Sequence, residues 1–250
     1  MYENYIVLGL NYGGHDTSAC IMINGKLITA CEEERYSKQK HTRDFPIQAI
    51  NDCLTKANLS ISDINEITLS YDPALLKPAN FDNLISLTRK KFNQNDLKQL
   101  RNLRDQDFDL VDYVKNELNF NGKISTHLHH LCHLASSYYP SGFEESLIIS
   151  HDGIGEVDCS LMAIGVNGEI KIFHHGNQWP NSLGLLYAGI TAYLGWKYNS
   201  DEGIVMGLAP YGDYDKLTKT GKTYREIFEE IIFPVGDFDY EIDKSWIAFH

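Results

Sequence analysis

The sequence predicts an α/β fold built on a strand-rich unit that occurs twice. Three observations carry this. Residues 5–31 hold three β-rich apolar runs separated by a Gly-rich turn and an Asn-Gly pair. The same order returns at 147–173. Between the two, apolar residues fall at helical spacing.

In the first copy the apolar run Tyr5–Leu10 leads into Gly13, Gly14, His15 and Asp16. Ala19–Ile23 follows, then Asn24-Gly25, then Leu27–Cys31. Asn-Gly between two β-rich runs is a strong hairpin signal, because both residues adopt the positive φ that a two-residue turn demands. In the second copy Leu147–Ser150 precedes His151-Asp152-Gly153-Ile154-Gly155, and Cys159–Val166 and Ile170–Phe173 flank Asn167-Gly168. Superposing the two Asn-Gly pairs places Ile6 on Ile149 and suggests an internal duplication. Between the copies, Pro46–Ala57 reads as a helix with Ile47, Ile50, Cys53 and Leu54 on one face, and Ile64–Leu69 as a strand. Residues 80–118 are polar and helical in pattern, an insertion on the scaffold. Lys123–Leu128 reads as a short strand entering a helix at about 129–138, Leu183–Leu194 as a helix, and Met206–Gly212 as a loop. No further strand–helix alternation is legible after 195, and Ile227–His250 reads as helix or strand interrupted at Pro234.

A three-stranded meander followed by helix and strand, twice over, is the pattern of the actin-like ATPase (ribonuclease H-like) architecture, with the second half incomplete. The expected division is 1–145 as a first subdomain, carrying the insertion at 80–118, and 146–250 as a truncated second one. The chain then reads as a piece of a longer protein.

Composition narrows the function. Lys plus Arg total 22 and Asp plus Glu 34, a net charge of −12. That excess opposes a nucleic-acid partner or a polybasic membrane anchor, since both need clustered positive charge. No apolar run approaches the length of a membrane span, and the N-terminus lacks a basic stretch followed by an apolar one, so a cytoplasmic location is expected. The five cysteines are widely spaced without a CxxC pair, which favours reduced thiols.

Five segments could carry chemistry. His129 and His133 are four apart, so a helix sets them on one face with Cβ atoms about 6 Å apart, able to present two imidazoles to a transition metal. His130 points about 100° away; surface histidines at a helix start are the alternative. Asp152, where the chain leaves a strand, can complete a two-His-one-carboxylate site suited to Fe(II) or a similar ion, or simply open an Asp-Gly turn. Gly153 and Gly155 would admit a ligand close to the backbone. In the first copy, amides and hydroxyls around Gly13–Ser18 could cradle a phosphate or carbonyl oxygen, with His15 as a general base, or simply form a hairpin loop with incidental polar residues. The run 32–41, with Glu34, Arg35, Lys40 and His41, is either a solvated charged face or a grip on an anionic or polyhydroxy ligand. Glycines at 203, 207 and 212 suggest close backbone approach, in a nucleotide-binding loop or a structural turn.

Taken together, HDTSAC (15–20), EEERYSKQKH (32–41) with Phe45-Pro46, HHLCHLASSYYPSGFEES (129–146), HDGIGE (151–156) and MGLAPYG (206–212) resemble the N-terminal domain of the carbamoyltransferase family of nodulation and cephem-modifying enzymes. The resemblance spans about residues 6–213. It implies an actin-like fold related to the tRNA threonylcarbamoyl transferase, and an iron-type ion on His129, His133 and Asp152. A fourth metal ligand of the family, an Asp, comes from beyond position 250. So does a C-terminal domain that makes carbamoyl-adenylate from carbamoyl phosphate and ATP. The implied reaction moves a carbamoyl group onto a hydroxyl of a small, often sugar-like acceptor. His15 and Asp16 would contact that acceptor or assist its deprotonation, while Ser18, Glu34, Arg35, Lys40, His41, Gly153, Gly155, Glu156 and Gly207 fall in the matching binding segments. Where the family usually carries Lys before Val-Met-Gly, this chain has Ile204, which puts an anion contact there in doubt. A tRNA-directed transferase of the same fold and a non-catalytic binding module are the competing readings.

Overall fold

The computed structural model describes residues 4–72, 109–243 and 245. These form two compact units, residues 1–132 and 133–250.

The first unit is a five-stranded sheet of order β3-β2-β1-β4-β5. β1 (Ile6–Asn11), β2 (Ser18–Ile23) and β3 (Lys26–Glu32) form the antiparallel meander, and β4 (Glu66–Leu69) and β5 (Lys123–Thr126) run parallel to β1. Alternation in β1 sends Ile6, Leu8 and Leu10 into the core, against Ala19 and Ile21 of β2 and Ile67 and Leu69 of β4. Burying a side chain such as Leu8 or Ile21 stabilises the unit by about 1.5–3 kcal/mol. Gly9 is required here, since a Cβ would stand 2.6 Å from the Cys20 sulfur. The β2–β3 turn is Asn24-Gly25 with φ of 51° and 78°, as that dipeptide dictates.

A single-turn helix α1 (Glu34–Ser37) follows β3, and α2 (Ile47–Ala57) then packs on β2 and β3. Its buried face is Ala49, Ile50 and Cys53, whereas Ile47, expected in the stripe, is 42% exposed. Glu33 explains the start of α2. Its buried carboxylate accepts from the Ala49 N–H (2.8 Å) and Gln48 Nε2 (3.1 Å), placing negative charge at the helix N-terminus. Asn58 at φ 54° closes the other end. Of the insertion expected at 80–118, α3 (Leu110–Leu118) is present, N-capped by Asp109; residues 80–108 lie outside the described residues.

The second unit contains an antiparallel sheet of β6 (Glu145–His151), β7 (Ser160–Val166) and β8 (Glu169–His175). Helix α4 (His129–Ser141) crosses the division between the units, but its Leu134 and Tyr138 form one core with Ile148, Leu161 and Ala163 of this sheet. Asn167-Gly168 turns β7 into β8 with φ of 52° and 79°. Ile6 sits opposite Ile23, one residue before the first Asn-Gly; the residue in that place in the second meander is Glu145, opposite Val166. That is four residues before Ile149, because in the second meander each of the paired strands is one residue longer and the loop between them two residues longer.

Beyond β8, α5 (Leu183–Tyr193), α6 (Glu202–Leu208), α7 (Tyr224–Ile231) and the hairpin β9 (Ile232–Val235)–β10 (Asp239–Ile242) follow. Leu186, Ile231 and Ile242 make a second small core. Two expectations change here. Residues 202–208 are helical and 209–211 a 3-10 turn, so the segment expected as a loop from Met206 is largely helix. Pro210 sits at the start of the 3-10 turn, where no N–H is needed. A Cβ at Gly203 or Gly207 would meet nothing within 4 Å, and one at Gly212 would stand 3.3 Å from the Ala209 carbonyl oxygen. Nor does strand–helix alternation stop at 195; α7 and its hairpin continue it. No helix among the described residues is long and apolar enough to cross a membrane.

Candidate metal centre

α4 begins at His129, so His129 and His133 lie one turn apart on one face of it, while His130 turns into the core and is buried. β6 ends at His151 and delivers Asp152 beside that face. His133 Nε2 and Asp152 Oδ2 are 3.2 Å apart, and one ligand atom from each of His129, His133 and Asp152 lies within 4.8 Å of the others.

The turn carrying Asp152 is held from several sides. Its N–H donates to the Cys159 carbonyl (3.0 Å), and its Oδ1 accepts from the Gly153 N–H (2.6 Å). Ser182 Oγ lies 3.1 Å from the Asp152 carbonyl and 2.5 Å from that of Gly153, and it also accepts from the Leu185 N–H as the N-cap of α5. Gly184 allows this approach; a Cβ there would fall 2.6 Å from the Gly153 nitrogen. Nearby Cys159 is buried, and burial pushes its thiol up to about 12, so it is not poised as a thiolate ligand. Two imidazoles and a carboxylate converging from a helix face and a strand end form a donor set that fits a divalent transition metal and leaves coordination positions open.

A second cluster lies within the first unit. Asp16 Oδ2 is 2.7 Å from His15 Nδ1, and Asp16 Oδ1 is 2.8 Å from His41 Nδ1. Partial burial alone would raise the Asp16 pKa, but the hydrogen bonds from His15 and His41 outweigh it and hold the carboxyl below its ordinary value. The turn is pinned by Asn11, whose Nδ2 donates to the carbonyls of His15 (3.2 Å) and Asp16 (2.9 Å), while its Oδ1 accepts from Ser70 (2.7 Å). Neither Asn11 nor Glu33 stands out in the sequence, since their partners are distant in the chain or are backbone groups.

The remaining expected site residues are dispersed. Ser18 opens β2 opposite Glu32. Glu34 faces the His41 N–H through Oε2 (3.4 Å), Arg35 pairs with Glu32 (2.9 Å), and Lys40 is exposed. Gly153 and Gly155 belong to the Asp152 turn, Glu156 is buried just beyond it, and Gly207 is exposed on α6.

The profile of the family described as "Carbamoyltransferase N-terminus" matches residues 6–233. The nodulation protein NolNO of Sinorhizobium fredii is 34% identical over 229 residues, covering 91% of this chain and 31% of its own length. The uncharacterized protein sll1178 of Synechocystis is 32% identical over 225 residues, covering 83% and 35%. The chain thus spans about a third of the length of these relatives. Among solved structures, YeaZ from Pseudomonas aeruginosa is similar at TM-score 0.37 and 12% identity (68% of this chain, 65% of that one). HypF from T. kodakarensis is similar at TM-score 0.36 and 14% identity (90% and 26%). With its family profile matched across nearly all of its length, the chain belongs to the carbamoyltransferase N-terminus family.

Proposed function

We propose that this chain is the acceptor-side domain of an O-carbamoyltransferase, with an internally duplicated actin-like fold whose second half is incomplete. The observation that carries the reading is the convergence of His129, His133 and Asp152 in a chain of this family. Iron(II) or a similar divalent ion on these three side chains would polarise the carbamoyl carbonyl or neutralise the phosphate of a mixed anhydride. The carbamoyl donor is carbamoyl-adenylate, made from carbamoyl phosphate and ATP by an adenylate-forming domain of the whole family protein. The acceptor is a hydroxyl of a small, sugar-like molecule.

The chain's own residues divide the work as follows. Asp16 accepts the Nδ1–H of His15, which leaves His15 Nε2 with a lone pair in the half-open turn. From there it takes the proton of the acceptor hydroxyl as that oxygen bonds the carbamoyl carbon and the carbon's bond to the adenylate phosphate breaks, releasing AMP. Gly14, where a Cβ would meet nothing within 4 Å, leaves room for the acceptor beside the backbone, and Asn11 fixes the turn. Ser182 and the Gly153 N–H hold Asp152 in its orientation.

The test is product formation from carbamoyl phosphate, ATP and a panel of hydroxylated acceptors. The chain alone is expected to be inactive, and addition of an adenylate-forming domain from a relative is expected to yield a carbamate. In that mixture His15→Ala lowers the rate by about 10²–10⁴-fold, the usual contribution of a general base. No carbamate under either condition contradicts the transferase reading, and turnover by the chain alone contradicts the assignment of the donor.

A further inference from the structure

One carboxylate faces two imidazoles, yet the two rings are not equivalent. The His15 side chain is 59% exposed. His41 is turned inward, and its Nε2 is buried with no hydrogen-bond partner among the described residues. An ionised carboxylate only accepts, so each Nδ1 that faces Asp16 is the donor. His41 therefore cannot hand a proton to a ligand through its sealed nitrogen, and among the described residues its ring hydrogen-bonds to the oxygen of Asp16 that His15 does not use.

The backbone tells the same story. Asp16 and His41 are both at φ 57°, a left-handed conformation that residues with a Cβ seldom adopt. Such geometry persists only where the surroundings fix it. Here the Thr17 N–H donates to the Thr42 carbonyl (3.4 Å) and the Glu33 N–H to the Thr17 carbonyl (2.9 Å), tying the two turns to each other and to the end of β3. Asn11 holds the first turn and Glu34 meets the second.

We propose that His41 is a positioning residue: by occupying one oxygen of Asp16 it fixes the carboxylate so that the other oxygen holds His15 as the Nδ1–H tautomer, with Nε2 free toward the acceptor. This rests on the reading of His15 as the proton acceptor. It assigns to the charged run 32–41 a role other than gripping a ligand.

The test is long-range 1H–15N correlation of the histidine rings in the 15N-labelled chain at mildly alkaline pH, where ring nitrogen shifts report the tautomer directly. In the wild type, His15 is expected as the Nδ1–H form. In His41→Ala, which leaves one Asp16 oxygen unbound, His15 is expected to shift to a mixture dominated by Nε2–H. His41→Asn, which retains an N–H near the position of Nδ1, is expected to restore the wild-type form. A merely structural role for His41 would leave the His15 tautomer unmoved. An unchanged His15 tautomer in a folded His41→Ala chain overturns the proposal, as does an Nε2–H tautomer in the wild type. Should His41→Ala fail to fold, Asp16→Asn decides. It offers one acceptor oxygen for two donors, so one ring is expected to leave the Nδ1–H form, and both rings keeping it overturns the proposal. None of these readouts requires carbamoyl transfer, so a chain without that activity but with coupled rings would remove the functional reading and leave the coupling standing.

Discussion

Asp16 and Glu66 show how single carboxylates are put to opposite uses. Glu66 is buried between β1 and β5 and accepts from Ser125 Oγ (2.6 Å), Tyr5 Oη (2.5 Å) and Lys123 Nζ (3.0 Å). Those bonds, Ser125 first, hold its pKa at about 2 against an ordinary 4.5. Its folded-state pKa is depressed, so its contribution to stability is complete above about 4.5 and disappears as pH falls toward 2. Urea unfolding of Glu66→Gln across that window is expected to show a shallower loss of stability with acid than the wild type. Asp16 is also held ionised, but its partners are two histidines in an accessible turn. The difference was not legible in the sequence: His41 is 25 residues from Asp16, and no local pattern announces the pair. His129 and His133 were legible because a helix repeats every 3.6 residues and four positions return to the same face. Asp152 was readable as a turn residue, and only the packing of α4 on the β6–β8 sheet brings it to them.

At the level of elements, the two meanders followed from alternation of apolar residues and from Asn24-Gly25 and Asn167-Gly168, since few other dipeptides accept two consecutive positive φ angles. The α2 stripe was partly misread. Cys53 and Ile50 are buried as expected, but small Ala49 takes the inward position assigned to Ile47, because Glu33 anchors the first turn. The α6 segment escaped because its glycines resemble a loop, although a glycine costs a helix only about 1 kcal/mol relative to alanine. Two measurements belong here. Leu134→Ala, which empties a site at the junction of α4 with β6 and β7, is expected to lower unfolding free energy by about 2–5 kcal/mol in denaturant titration. Ser182→Ala removes the N-cap of α5 and a tie to the Asp152 turn, and is expected to cost about 1 kcal/mol in the same assay. The same variant is expected to weaken divalent-ion affinity about 10-fold or more by calorimetry, as loss of a group orienting a ligand does.

For the whole molecule, the described residues bring histidines and a carboxylate together twice: His15, Asp16 and His41 beside the first meander, and His129, His133 and Asp152 where α4 meets the end of β6. The family match, over residues 6–233, includes all six of these residues. The net charge of −12 disfavours binding of a polyanion. A direct binding titration with tRNA is accordingly expected to show no tight, salt-sensitive complex, and finding one would favour a tRNA-directed transferase. The centre of the account is that His129, His133 and Asp152 share a cation. Elemental analysis of the dialysed chain after loading with iron(II) under anaerobic conditions tests this directly, beside a His129→Ala/His133→Ala chain whose fold is verified by circular dichroism. The wild type is expected to retain one ion per chain that the variant has lost; equal metal content in the two would contradict the account.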